Sequence, residues 1–370
     1  MLIFNAGKYH NGSHIDVFFC WNEPHRQALR KVGFQPDMRI EVVGVPRFDY
    51  YFEPWSRVFS TPRRASGKPS ILVCTNFGFA KFFEVPKETA RHYLDCYKDI
   101  ANYRDYWSLV ETNHRAQAQS LTFLDALVAA HKFAITLRPH PNENLAVYRR
   151  WLAALPPESA ASVTIDQETN ITQLILNCDL EVSCETCTTP MESWLARKPT
   201  VELVLQKHPV FFHPEIAKMN VTCEKPADLP SIIEHELAHP DQAAKQAMRT
   251  AHLQKWCDAP SGRASAKIAE AVAQFLQARP APDWSQLGLA DRRRAAKLNL
   301  LRKFNLPYHF DPMLAAKSRL LGGKHRIRAF AFRKSIRPAD VRQARRMIEL
   351  GMKRTAPLER SGSAPSTPVR

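Results

Sequence analysis

Arg138, His140, Thr188, Thr189 and Glu192 are the residues of this chain whose types and neighbours could together hold an anion. His140 stands in Arg138-Pro139-His140-Pro141, directly after the apolar run that begins at Ala134. The two prolines fix two φ angles and remove two backbone donors, so His140 cannot continue a helix and sits in a restricted loop. Thr188 and Thr189 precede Pro190 and Glu192 at the head of a helical pattern, where hydroxyls serve as N-caps and free N–H groups favour negative charge. Guanidinium, imidazole, hydroxyls and a helix start are the parts of a phosphate site, and Glu192 could accept from ribose hydroxyls. Asn76, in the turn Asn76-Phe77-Gly78, adds a third polar strand end. The plainer alternatives are an exposed histidine in a strand-to-loop turn and threonines that only cap.

The elements that must position these residues read as alternating strands and helices. Ser70 to Thr75, Ala134 to Leu137, Val163 to Asp166, Leu180 to Ser183 and Val201 to Val204 are short apolar runs of the kind that form buried parallel strands. Helical patterns lie between them: one from Lys87 to about Lys132, then Leu145 to Leu155 and Ile171 to Asn177. Upstream, Ile15 to Trp21 and Arg39 to Val43 read as strands flanking a helix at His25 to Lys31, and Met1 to Phe4 reads as part of a further strand. The first 60 residues hold less strand and helix than a nucleotide-binding domain needs. Helices at Asp228 to Glu236, Pro240 to Trp256 and from Ser261 to about Ala278 follow the last strand, and Pro280-Ala281-Pro282 marks a boundary.

The net charge of +16 is concentrated. Residues 285–370 hold 21 Lys and Arg against 5 Asp and Glu, and the preceding 284 residues hold 31 of each. A neutral body with one cationic appendage points to anionic lipid headgroups rather than to nucleic acid. In that tail the basic residues are interleaved with Leu298, Leu300, Leu301, Phe304, Ile327, Phe330, Phe332, Met347, Ile348 and Leu350, a composition suited to interfacial helices. A packed basic subdomain and RNA contact are the alternatives. No run of about 18 apolar residues occurs, and the opening MLIFNAGKYHNGSH lacks the pattern of a secretory signal. Eight scattered cysteines, with Cys184 and Cys187 the only CxxC pair, lead to the expectation of reduced thiols in a cytoplasmic protein and no zinc set. No GxGxxG, Walker or DxD-like motif is present, so leaving-group stabilisation without a metal is expected. The strand-end layout is that of a nucleotide-sugar donor site, where catalysis is mainly stabilisation of the departing phosphate.

Five stretches in order carry a resemblance: Gly44-Val45-Pro46-Arg47-Phe48-Asp49; Ile71 to Phe77; Arg138 to Asn144; Cys187 to Glu192 with Lys198-Pro199; and Ser261 to Ala264. They resemble the landmarks of the bacterial surface carbohydrate biosynthesis proteins, similar to GT-B glycosyltransferases of capsule and lipopolysaccharide assembly, including Kdo transferases and sialyltransferases with an HP motif. The resemblance covers residues 15 to 275. It implies a GT-B-like α/β fold of two Rossmann-type domains, a nucleotide-activated donor such as a CMP-linked acidic sugar, no metal cofactor, and His140 with Thr188 and Thr189 at the donor phosphate. Arg138, Glu192 and Asn76 are implied as supporting donor contacts. The general base of such enzymes lies on an acidic motif of the N-terminal domain, expected upstream of Met1, which leaves Asp16 and Glu23 as candidates here, with Asp49 structural. Met1 is accordingly expected to be an internal start in a longer frame or the start of a truncated form.

The expected organisation is a partial N-terminal Rossmann-like domain over residues 1–60, a linker at 61–69, a nucleotide-sugar-binding Rossmann-like domain over 70–280, a basic helical extension over 281–356 and a disordered tail at 357–370. The expected activity is sugar transfer from a nucleotide-activated donor to a cell-surface glycan or lipid-linked acceptor, at the inner face of the plasma membrane, with the anionic surface met through residues 285–370. A catalytically incomplete binding or scaffolding module and a nucleotide-sugar epimerase are the alternatives.

Overall fold

The computed structural model describes residues 15–31, 38–61, 67–94, 105–184, 187–240, 243–278, 288–306 and 337–355, with 313, 316, 317 and 320. The expectations for Met1 to Phe4, for Ile327, Phe330 and Phe332, and for 357–370 fall outside those residues. The chain divides into two units, Met1–Glu53 with Phe59–Gln277 and Pro54–Val58 with Ala278–Arg370.

The larger unit is α/β with parallel sheets. In chain order its strands are β1 (Val17–Cys20), β2 (Arg39–Val42), β3 (Ser70–Cys74), β4 (Ala134–Arg138), β5 (Val163–Ile165), β6 (Leu180–Cys184), β7 (Thr200–Leu203) and β8 (Val221–Cys223). The helices are α1 (Glu23–Lys31), α2 (Trp55–Phe59), which runs across the unit boundary, α3 (Lys87–Leu94), α4 (Tyr106–Ala129), α5 (Leu145–Ala154), α6 (Pro157–Ala160) and α7 (Ile171–Asn177). They continue with α8 (Thr189–Leu195), α9 (Pro214–Ala217), α10 (Leu229–Ala238), α11 (Ala243–Cys257) and α12 (Ala264–Gln277). The pattern expected as one helix from Lys87 to Lys132 is described as α3 and α4, with 95–104 outside the described residues. β8 escaped the sequence reading, because Val-Thr-Cys is three residues long, too short for its alternation to stand out.

Six strands form one sheet in the order β5-β4-β3-β6-β7-β8, and every described pairing is parallel. This is the doubly wound order in which strand sequence reverses across the β3–β6 pair, and ligands of such sheets bind outside the carboxyl ends at that reversal. β1 and β2 form a separate two-stranded parallel sheet.

The two faces of the large sheet differ in chemistry. One packs Ile71, Val73, Leu137, Val182 and Val201 against Phe123, Leu127 and Tyr148, and burying each large side chain contributes roughly 1.5–3 kcal/mol. The other places Leu72 and Cys74 among Phe48, Tyr51, Ile175 and Trp194, and β6 and β7 contribute buried Glu181, Ser183, Thr200 and Glu202. Three of those polar groups are paired here: Ser183 Oγ donates to Glu202 at 2.7 Å, Asn220 Nδ2 donates to Glu202 at 3.1 Å, and Arg249 donates to Thr200 Oγ1 at 3.1 Å. Buried polar groups that satisfy one another rigidify the sheet and add to the register that the apolar face already specifies.

The segment after β2 locks onto the last helix. Gly44 adopts φ +83°, which a Cβ would disfavour, and the chain then forms a 3₁₀ turn over Pro46–Tyr51. Asp49 accepts the Ala264 and Ser265 N–H groups at 3.0 and 2.6 Å, so it serves the start of α12, in keeping with its expected structural role. At Gly262, φ is +76° and an added Cβ would lie 2.7 Å from the Phe52 Cβ. The landmark Ser261-Gly262-Arg263-Ala264 is thus the receptor for the Asp49 turn.

The smaller unit contains α13 (Leu289–Lys303) and α14 (Pro338–Thr355). Asn305 Oδ1 accepts the Ala339 N–H at 2.7 Å, and Gly351 is held close to Val58. Leu300, Phe304, Val341, Met347 and Leu350 are exposed, whereas Leu301 is buried.

Candidate functional site

Register places three strand ends side by side. Cys74 at the end of β3 aligns with Arg138 on β4 and with Ser183 on β6. The loops that leave these strands hold Thr75 to Gly78, Pro139 to Asn144, and Cys187 to Thr189, so Asn76, His140 and Thr188 flank the reversal point of the sheet.

A carboxylate without a role in the sequence reading organises two of those loops. Glu143 is buried and accepts Thr75 Oγ1 at 2.8 Å, the His140 backbone N–H at 2.8 Å and the Tyr148 hydroxyl. Gln117 donates to the same group at 3.5 Å. Burial pushes the Glu143 carboxyl up, opposed by the Tyr148, Thr75 and backbone donors around it. The sequence signal was present in Asn142-Glu143-Asn144, but nothing linear reveals that the glutamate turns inward.

His140 is half-buried in the loop so held. Its Nδ1 accepts the Asn142 N–H at 3.2 Å and its carbonyl accepts Gln167 Nε2 at 2.9 Å. An accepting Nδ1 carries no proton, so the neutral ring donates through Nε2. Arg138 takes a supporting place: its Nη1 donates to the Asp166 carbonyl at 3.0 Å and lies 3.7 Å from the Asp166 carboxylate. This ties β4 to the loop after β5. Asp166 is held below the usual carboxylate range by donors from Thr169 and Glu168 and by Arg138, which outweigh its burial.

Two expectations at α8 are corrected. Thr188 occupies the N-cap position with helical backbone, φ −78° and ψ −10°, and makes no side-chain cap bond. Thr189 turns its hydroxyl beneath the helix and donates to Glu181 at 2.8 Å, which leaves the exposed Thr188 as the hydroxyl at the surface. Glu192 is not open to a ribose. It is buried, paired with Arg47 Nη2 at 2.7 Å, and accepts the Tyr51 hydroxyl at 2.6 Å. Its position one turn into α8 carries it under the Pro46–Tyr51 turn. Burial raises its carboxyl, with Arg47 and Tyr51 acting in the opposite sense.

Arg47 thereby joins the site. Its guanidinium is half-exposed, anchored on one side by Glu192 and 3.5 Å from Thr188 Oγ1. A cleft of about 920 Å³ opens here, lined by Arg47, Thr188, Met191, Trp21 and residues of α11. The structure brings Arg47 and Thr188 together in it, while Asn76, Arg138 and His140 lie outside its lining. Beneath α8, Glu181 is fully buried with Oε2 unpartnered among the described residues, and burial lifts its carboxyl to about 8.

The two acidic candidates for a general base lie elsewhere. Asp16 sits at the amino end of β1, roughly 13 Å of strand away from the carboxyl end that faces the cleft. Glu23 lies in the first turn of α1, where it pairs with Arg26 and accepts from Gln27.

No family model matches the chain, and no curated protein does. Among solved structures it is similar to the UDP-GlcNAc 2-epimerase of Methanocaldococcus jannaschii in complex with UDP-GlcNAc and UDP, at 13% identity over 70% of this chain and 61% of that one, with a TM-score of 0.36. It is similar to HepE of Anabaena in complex with UDP-glucose, at 12% identity over 74% of this chain and 68% of that one, TM-score 0.35. A third is WaaG, a glycosyltransferase involved in lipopolysaccharide biosynthesis, at 12% identity over 71% and 64%, TM-score 0.33. The chain spans less than two thirds of the epimerase and WaaG structures.

Proposed function

We propose that this chain binds a nucleotide-activated sugar at the β3–β6 reversal and transfers the sugar to a surface polysaccharide or lipopolysaccharide acceptor. The observation that carries the reading is the strand order itself, which sets the His140 loop and Thr188 on either side of β3 at the carboxyl edge of a doubly wound sheet. The Nε2–H of His140, the Thr188 hydroxyl and the Arg47 guanidinium are donors suited to the charge that develops on a departing nucleotide phosphate. In this reading no metal ion is required, because those side chains take its part. Glu143 and Glu192 hold His140 and Arg47 in place.

The same reading includes association with the inner face of a membrane. Its support is the cationic unit that carries α13, where Arg292, Arg293, Arg294 and Lys297 share a helix with exposed Leu289 and Leu300.

The test is calorimetric titration of the full chain with CMP, UDP, GDP and CDP, followed by turnover of the matching nucleotide sugar. Binding of one nucleotide that is lost in His140→Ala, with an unchanged melting temperature, supports the site. Normal binding and turnover in that variant would sink it.

A further inference from the structure

The cleft beside Thr188 is larger and more apolar than phosphate recognition requires. At about 920 Å³ it falls in the range of sites that enclose most of a small ligand. Trp21, Phe48, Met191, Met219 and Trp256 are among its lining side chains. Trp21 and Met248 are 51% and 44% exposed. Large apolar groups left in water around a cavity mark a surface that a ligand covers, and methionine adapts its shape to flexible chains.

Charge decides what kind of ligand. The lining carries Arg47, Lys218 and Lys255 against Glu215 alone among described lining carboxylates. Lys255 lies 5.1 Å from the Trp256 ring centre, so cationic and apolar surfaces adjoin within one pair of neighbours. Lys218 and Glu215 pair at 3.0 Å with both side chains exposed, an arrangement that holds weakly and yields readily to a stronger anion. A nucleobase would need polar groups for its edges. Thr188, His213 and His252 also line the cleft, but the lining carboxamide, Asn22, the side chain best able to read a base edge, is committed: its Nδ2 donates to the Trp256 carbonyl at 2.6 Å and its Oδ1 accepts the His25 N–H at 2.7 Å.

We propose that this cleft binds a single-chain phosphate amphiphile, its apolar chain against the tryptophan and methionine walls and its phosphate among Arg47, Lys218 and Lys255. As a statement about function it rests on the transferase reading above, in which such a molecule is the lipid carrier of the acceptor. Its binding, however, can be measured without any donor.

The probe is dodecyl phosphate, titrated into the full chain below its micelle concentration and followed by tryptophan emission and calorimetry. The expected result is a saturable blue shift that shrinks in Trp21→Phe, with dodecanol at least tenfold weaker and inorganic phosphate silent. Met248→Glu and Lys255→Glu, both at solvent-facing positions of α11, are each expected to weaken binding tenfold or more, with unchanged circular dichroism. Absence of saturable binding, equal binding by both variants, or an equal shift from CMP or UDP overturns the proposal. Nucleotide titration of the same samples separates the two readings. Intact nucleotide binding beside a failed amphiphile titration strikes the cleft alone, and the reverse result strikes the donor site alone.

Discussion

Glu143 accepts the backbone N–H of His140 at 2.8 Å. A side chain buried behind the loop therefore sets the position of the imidazole in front of it. Because Thr75 bonds the same carboxylate, the loops after β3 and β4 are tied to one another, and Tyr148 ties both to α5. Glu143→Ala leaves Thr75, Tyr148, Gln117 and the His140 N–H without that acceptor, and each one that stays buried and unpaired costs about 1–3 kcal/mol. Urea denaturation is expected to show that loss, and nucleotide affinity is expected to fall with it.

His140→Ala, in contrast, removes a half-buried ring that accepts the Asn142 N–H, while Glu143 and Gln167 still hold the backbone. Stability is expected to change by less than about 1 kcal/mol. Nucleotide affinity is expected to fall about tenfold or more, the worth of one charge-assisted hydrogen bond. Paired thermal melts and calorimetry read both quantities.

Arg47→Ala strips the cation from buried Glu192. Removing one partner of a fully buried pair costs about 3–5 kcal/mol, but Arg47 is 48% exposed and the expected loss is nearer 1–2 kcal/mol after solvent screening. The double variant Arg47→Ala with Glu192→Gln removes the stranded charge. It is expected to recover most of the stability and none of the affinity for nucleotide or dodecyl phosphate. Recovery of affinity would show that the guanidinium touches neither ligand.

Glu181 predicts a pH dependence. Its folded pKa of about 8 stands above the ordinary 4.5 because burial disfavours the carboxylate. Its stabilising contribution is therefore complete below pH 4.5 and is lost as pH rises through about 8. Glu181→Gln abolishes that titration. The variant is expected to unfold at higher urea than the parent at pH 9, by about 1–3 kcal/mol, and to differ little at pH 5. Parallel denaturation curves at the two pH values check the sign.

Charge reversal of Arg292, Arg293 and Arg294 to Glu is expected to abolish co-sedimentation with vesicles rich in phosphatidylserine, and 0.5 M salt is expected to weaken the parent's binding. Co-sedimentation that survives both treatments would remove the membrane from the reading.

The sequence by itself determined five of the six strands of the large sheet and the main helices between them, since short apolar runs between helical patterns leave little choice of element; β8 alone of those strands was too short to show. It also located the strand ends, because prolines at 139 and 141 and the Thr188 to Pro190 turn break those runs in linear order. It could not supply the strand order, which depends on contacts between segments more than a hundred residues apart, such as β3 with β6. Nor could it tell which polar residues face inward. Glu192 looked like a ribose acceptor and proved to be the buried partner of Arg47, and Thr189 looked like a cap and proved to bond Glu181. Glu143 passed unnoticed within a polar turn. One turn of helix or one step of strand decides whether a carboxylate meets water or a guanidinium. For Glu192 that step is set by packing against the 46–51 turn, and for Glu143 by Thr75, Gln117 and Tyr148 closing around it, contacts that only the tertiary structure contains.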